Sequence, residues 1–304
     1  MIASPPSDPI PERILQRAMR LNVAAGCVGM FWGAVAFGMP LPLFMEAMNA
    51  SGQQLGVVGA VRQVAMIFQI PAAFIVERMA ARKPLWFVVA LIHRLMWVIP
   101  ALCPLIWPGR RDLYPIVTIV ALGISDILAN FGTAPWLSWM ADLLPANESG
   151  RFWGSRQRLH SVCIVFASGL YGLLLDHFPA HAGLTGFAIV FAIAALGGML
   201  DIVVHGFVYE PRPVPHPQRE PWLRRVIAPL RDPQLRRLTW ALGAWSCAIA
   251  MPGISNGLPS FFNVVYLKEA FGATYSQASL LFIASAVSAV AWTPWLGRLI
   301  DQWG

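Results

Sequence analysis

The sequence predicts an all-α polytopic membrane protein, and three observations carry that prediction. Of its 304 residues 57% are hydrophobic and only 12% are charged, where soluble domains carry about 25% charged residues. Apolar runs of about 20 residues, enough to cross ~30 Å of hydrocarbon as a helix, recur along the chain. The basic residues gather on alternate sides of those runs, so that nearly all fall on one face of a membrane.

Eight spans are expected, at residues 21–45, 54–76, 84–107, 114–140, 157–175, 183–207, 238–266 and 276–296. The opening residues are rich in proline and polar groups, and the run from Leu21 is too long for the core of a cleavable signal, so it counts as a span. The first, fourth and seventh are long enough to tilt or to project from the bilayer. Between the sixth and seventh lies the longest connector, Tyr209 to Arg237. Its prolines Pro211, Pro213, Pro215 and Pro217 favour extended backbone, and from Trp222 on apolar residues alternate with arginines as in a helix lying on a membrane surface. The chain therefore divides into a six-helix bundle (1–208), a basic linker (209–237) and two further helices (238–304).

With the N-terminus in the cytoplasm, Arg13, Arg17, Arg20, Arg78, Arg82, Lys83, Arg151, Arg156, Arg158 and Arg298 lie inside with the connector arginines, and only Arg110, Arg111 and Lys268 lie outside. That asymmetry accounts for the net charge of +7 without a nucleic-acid partner. The expected setting is a plasma (inner) membrane. Cys27, Cys103, Cys163 and Cys247 are scattered among apolar residues and read as small buried hydrophobes. His177 and His181 flank Pro179, which interrupts the helix that would align them on a metal, so no metal is expected. No nucleophile–base grouping, phosphate loop or dinucleotide fingerprint is present, which argues against an enzyme and against a cofactor.

Two stretches repeat. Glu46-Ala47-Met48-Asn49-Ala50-Ser51-Gly52-Gln53-Gln54 aligns without a gap on Glu269-Ala270-Phe271-Gly272-Ala273-Thr274-Tyr275-Ser276-Gln277, at an offset of 223 residues, and Pro71 falls on Pro294 at the same offset. One large unit is thus present twice, with the second copy cut short. Further motifs sit at span ends. Gly297-Arg298-Leu299-Ile300-Asp301-Gln302-Trp303-Gly304 places an aspartate four residues after a glycine and a second glycine three residues later, and Ala73 to Lys83 is a degenerate copy with Glu77 for the aspartate and Arg78, Arg82 and Lys83 as a basic tail. Trp139 to Pro145, followed by Ser149-Gly150-Arg151-Phe152-Trp153-Gly154-Ser155-Arg156, forms a third such segment.

Together these features resemble the major facilitator superfamily of secondary transporters, and the resemblance covers the whole chain. It implies alternating access of two bundles about a midplane site, a small-molecule solute, and a proton or sodium ion as coupling partner. Members usually have twelve spans, so the resemblance implies a fragment ending four helices short. The fourth span lacks the arginine, and the fifth, around Ser168 to Gly172, the glycine-proline pair that mark proton-driven drug exporters. By resemblance, Glu77, Arg78, Arg151, Arg156, Gly297, Asp301 and Gly304 form a cytoplasmic gate: Asp301 is expected beside Phe152 to Arg158, with Arg151 or Arg156 as partner. Glu77 is expected to face an eleventh helix and so to be unpaired. A non-transporting scaffold or sensor built on the same fold is the alternative.

Within the membrane, ionised groups cost at least about 2.5–3.5 kcal/mol each at mid-bilayer, so each needs a partner or a wet cavity. Arg62, Arg94 and Asp126 fall in the middle third of their spans. Asp126 is expected to pair with Arg62 or Arg94, with surplus positive charge facing a cavity that favours an anionic or polar solute, or with Asp126 protonation serving coupling; an ion pair that only orients helices is the bland account. Asp126, Asn130 and Thr133 share one helix side, and Asn256, Ser260 and Asn263 repeat that spacing on the seventh span. Either these stripes line the cavity or they are polar helix–helix contacts. Asp201 and His205 read as an interfacial pair, Gly26, Gly29 and Gly33 as points of close helix approach, and Trp86, Trp107 and Trp222 as interfacial anchors.

Overall fold

In the computed structural model, residues 10–107, 109–145, 148–178, 184–211, 231–250, 258–280, 283–284 and 287 are described. Among them the only regular structure is helix. Six segments are long and apolar enough to cross a bilayer: Glu12–Ala47, Gly52–Val76, Lys83–Ile106, Arg111–Leu143, Ser149–His177 and Thr185–His205. The expected seventh span falls on two helices, Pro233–Ala250 and Leu258–Phe271, and most of the expected eighth lies outside the described residues, as does most of the connector.

Prolines and a glycine set where these spans break. The first consists of α1 (Glu12–Ala36) and α2 (Pro40–Ala47). A Cβ on Gly38 would run into the carbonyl oxygen of Ala34, and Pro40 opens the next helix, where its missing N–H costs nothing. The second is α3 (Gly52–Ala65), a 3-10 turn Met66–Phe68, and α4 (Gln69–Val76), the loosened turn lying where Pro71 withholds a hydrogen bond from Ile67. The third divides into α5 (Lys83–Leu95) and α6 (Val98–Ile106) ahead of Pro100, which leaves the carbonyl of Met96 without that donor. By contrast α7 (Tyr114–Leu143) runs through Pro135 unbroken, and α8 (Ser149–His177) and α9 (Thr185–His205) complete the bundle. The remaining helices are α10 (Pro233–Ala250) and α11 (Leu258–Phe271).

The expected first span starts nine residues too late and the fifth eight too late, because both helices continue as charged, amphipathic turns beyond the apolar stretch. In particular, Ser149 to Arg156 is the start of α8 and not a loop.

The repeated stretch has the same local geometry twice. Asn49 (φ 59°) and Gly272 (φ 62°), aligned in the two copies, both take the left-handed conformation that ends a helix. Two residues later, Ser51 Oγ accepts from the Gln54 N–H (3.2 Å) while Gln54 Oε1 accepts from the Ser51 N–H (2.8 Å). Thr274 and Gln277 exchange the same two bonds at 3.2 and 2.9 Å. Each copy thus carries a capping box starting its second helix.

Two apolar cores are stacked along the bundle. The one nearer the N-terminal face gathers Leu15, Trp86, Trp139, Phe152 and Ile202. The other, toward the opposite face, gathers Phe44, Trp97, Tyr171 and Phe191. Buried polar residues include Asn22, Arg94, His160, Asp201 and His205. Large apolar side chains such as Leu105, Val162, Phe166 and Leu196 point outward, as lipid-facing residues do.

Candidate functional site

Along the seam of α3 and α7, Arg62 and Asp126 meet, Nε to Oδ2 at 3.4 Å. A second arginine nitrogen, Nη1, donates to the carbonyl of Ala36 at 2.9 Å. That carbonyl is free because α1 stops there, and the negative end of a helix suits a cation. The guanidinium also lies 5.1 Å from the centre of the Phe37 ring. Both side chains keep some exposure, 18% for Arg62 and 11% for Asp126. Farther along α7, Asn130 accepts from Gln69 Nε2 at 2.7 Å and donates to the carbonyl of Asp126 at 2.9 Å. Thr133, on the same side, is tied to its own helix through the carbonyl of Ala129. The seam is therefore polar from Arg62 to Gln69, with charge at one end and neutral amides at the other.

Arg94 is not the partner of Asp126. Its Nη2 donates to Asp201 Oδ2 at 3.0 Å, and its guanidinium lies over the Trp32 ring at 3.6 Å. Between the two ion pairs stands a neutral cluster missed in the sequence: His93 Nδ1 is 2.7 Å from Ser125 Oγ, which also accepts from Trp97 Nε1 at 2.9 Å. Trp32 packs edge-on against both His93 and Trp97. His93 neighbours Arg94 in an apolar run, which was a signal, but only the arginine carried an obligatory charge.

Two readings are corrected by burial. Asp201 and His205 are not interfacial: they are 5% and 3% exposed and joined at 2.9 Å inside the bundle. Trp86 is no anchor either, since it is buried against Trp139 and His205. Both sit on helix faces turned toward α1 and α7, a direction that distance from a span end does not disclose. Trp107, by contrast, is exposed.

At the N-terminal face, Arg82 is the buried hub. It is 2% exposed, and its Nη1 donates to Asp142 Oδ2 (2.7 Å) and to Ser138. The Glu210 carboxylate accepts from the backbone N–H groups of Arg82 and Lys83 at 2.5 and 3.0 Å. Of the expected gate residues, Glu77, Arg78 and Arg151 are exposed. Glu77 does engage a contact. Arg156 turns into the bundle, where Nε donates to Asn22 Oδ1 at 2.9 Å and the guanidinium lies near the Trp136 and Trp153 rings. Gly297, Asp301 and Gly304, Asn256, and the side chains of Ser260 and Asn263 lie outside the described residues.

The sequence model of the Major Facilitator Superfamily matches residues 21–304. The chain belongs to the Major Facilitator Superfamily. Neither a curated protein nor a solved structure matches it. Membership makes it an integral membrane protein of a solute-transporting family, in keeping with the six apolar helices. It also gives the hub at Arg82 a context within the superfamily: Arg82 lies in the basic tail of the degenerate loop motif, and Asp142 in the segment that ends the fourth span.

Proposed function

We propose that the protein moves a small polar or anionic solute across the membrane by alternating access. The observation that carries this reading is the Arg62–Asp126 pair, two charges on apolar helices that retain partial exposure. A pair serving helix packing alone would gain most from full burial. The Arg62 guanidinium also reaches a helix terminus and an aromatic face, and its planar fork suits a carboxylate, phosphate or other acceptor. The proposed solute path runs along the same seam past Asn130 and Gln69, and Asn256, Ser260 and Asn263 of the seventh span are proposed to contribute to it. We further propose that coupling uses a proton or sodium ion and that the N-terminus lies in the cytoplasm.

Contacts between the two copies of the repeat support a rocking motion. On the face opposite the N-terminus, Lys268 Nζ lies 2.6 Å from Glu46 Oε2, and Asp176 accepts from the N–H groups of Tyr275 and Ser276 at 2.8 and 3.0 Å. The test is a thermal-shift screen of small organic anions and zwitterions on the purified protein, followed by uptake into proteoliposomes. Compounds that stabilise the wild type are expected to be transported, and Arg62→Ala is expected to abolish both effects. Uptake of every stabilising compound at the rate of empty liposomes would sink the proposal.

A further inference from the structure

We propose that His205 is a proton-binding site whose occupancy decides whether Arg156 stays anchored in the bundle. The hydrogen bonds fix the present state from both ends. Arginine Nε can only donate, so the Asn22 oxygen facing Arg156 Nε at 2.9 Å is the acceptor, and the amide nitrogen points the other way. That nitrogen donates to His205 Nε2 at 3.1 Å and to the sulfur of Met140 at 3.1 Å. His205 Nε2 is therefore an acceptor. At the other side of the ring, Nδ1 faces Asp201 Oδ1 at 2.9 Å and the Asp201 carbonyl at 3.3 Å, both acceptors, so Nδ1 carries the hydrogen. A chain of hydrogen bonds that begins at Arg156 and ends at a carboxylate thus selects the Nδ1–H tautomer of the imidazole.

Adding a proton reverses one link. His205 Nε2 uses its lone pair to bind a proton from water, and the resulting N–H faces the amide hydrogens of Asn22. Two donors cannot share that contact, so Asn22 turns its oxygen to His205 and presents its nitrogen to Arg156. Arg156 Nε then loses its acceptor, and the guanidinium is left with the Trp136 and Trp153 rings and the longer-range attraction of Asp201. Arg156 forms no ion pair among the described residues, so no close contact replaces the lost hydrogen bond.

The charged groups around the site set its balance. Asp201 lies on the same helix, and Arg94 reaches it from α5 through Nη2. From α8 come Arg156 and His160, the latter buried with Nε2 lacking a partner. From α1 comes the neutral Asn22, and from α7 the neutral Met140. Beyond the end of α9, Lys83 reaches the Val208 carbonyl at 2.8 Å, and Glu210 meets Arg82. Two glycines of α1 make room for this cluster: a Cβ on Gly26 would strike the His160 ring, and one on Gly29 would come within 2.5 Å of Asp201 Oδ2. Because Arg156 sits in the second turn of α8, proton binding loosens that helix at the N-terminal face. The inference takes from the transport reading only the idea of what such a movement would drive.

The test uses the full chain in lipid nanodiscs, with 15N-labelled histidine read by magnetic resonance and backbone hydrogen exchange read over residues 149–158. Above the usual histidine range, His205 is expected as the neutral Nδ1–H tautomer, its signal assigned by its loss in His205→Gln. On acidification it becomes imidazolium, and protection at the start of α8, taken relative to the intrinsic exchange rate at each pH, falls severalfold; in His205→Gln that protection does not respond to pH. Asn22→Ala breaks the link without touching Asp201, so protection there is low at every pH while His205 still titrates. An Nε2–H tautomer, a His205 that never titrates, or wild-type-like pH-dependent protection in either variant overturns the proposal. If His205→Gln does not fold, Asn22→Ala and the wild-type tautomer decide the matter. No transported solute enters the measurement, so its outcome and that of the transport test are independent.

Discussion

The two buried carboxylates of the bundle differ in what surrounds them, and substitutions should register the difference. Asp201 accepts from Arg94 and from His205 with both oxygens occupied and 8% of its side chain exposed. Asp201→Ala leaves a buried guanidinium uncompensated, a change that costs about 3–5 kcal/mol. Asp126→Asn costs less, because Arg62 keeps the Ala36 carbonyl and both side chains reach a wetter environment. Thermal unfolding in detergent should therefore show a large fall in Tm for the first and a small one for the second; equal falls would mean that the seam at Arg62 is as closed as the core. The need for partners was legible from charge in an apolar run, since hydrocarbon makes it obligatory. Which partner was not: Arg94 stands as close to mid-span as Arg62, and its face on α5, which sequence depth does not resolve, selects Asp201. Asn22 and His160 escaped notice because neutral polar groups are cheap enough in helix interfaces to carry no alarm.

At the scale of elements, α1 is the helix on which the bundle closes. Its glycines are unequal. A Cβ at Gly29 would lie 2.5 Å from Asp201 Oδ2 and 3.3 Å from that residue's own Cβ, so rotating the carboxylate away does not relieve it. Gly33, one turn on, has nothing nearer than 3.7 Å. Gly29→Ala is expected to destabilise by about 1–3 kcal/mol, as overpacking does, and Gly33→Ala to be neutral or slightly stabilising through helix propensity. Melting temperatures of the two variants check this, and a Gly33→Ala loss as large as that of Gly29→Ala would contradict it. Hydropathy located all six spans of the first bundle, but it reports where a helix meets lipid and not where it ends. The charged turns from Glu12 to Arg20 and from Ser149 to Arg158 continue the helices outside the apolar stretch, and the second of them brings Arg156 to Asn22. Proline positions were the better guide to breaks, since the turns before Pro40, Pro71 and Pro100 all loosen.

Across the whole molecule, the duplication legible at an offset of 223 residues holds to the level of backbone angle, with a left-handed residue and a capping box in each copy. The copies differ in one addition. In the second, Asp176 from the end of α8 also takes the N–H groups of Tyr275 and Ser276 and bonds the Ser276 hydroxyl, so a carboxylate of the first bundle caps a helix of the next. Lys268, just past the expected seventh span, ties the same two parts together through Glu46. Burial pulls the lysine's affinity for its proton down, but the hydrogen bond to Glu46, Tyr275 and the Glu46 charge together outweigh this and leave its pKa raised. A raised lysine pKa means that its contribution is whole below the ordinary lysine range and is lost as pH rises through the shifted value. Raising pH beyond that range should therefore loosen this face, and Lys268→Ala should remove the response. Asp176→Asn acts at any pH, because an amide offers one acceptor where the carboxylate offers two. Hydrogen exchange at residues 275–280 is the readout: both variants should quicken it while leaving the α1–α9 seam protected, since opening at one face is a movement between bundles and not an unfolding of either. Exchange that rises equally in both places would assign the contacts to stability alone.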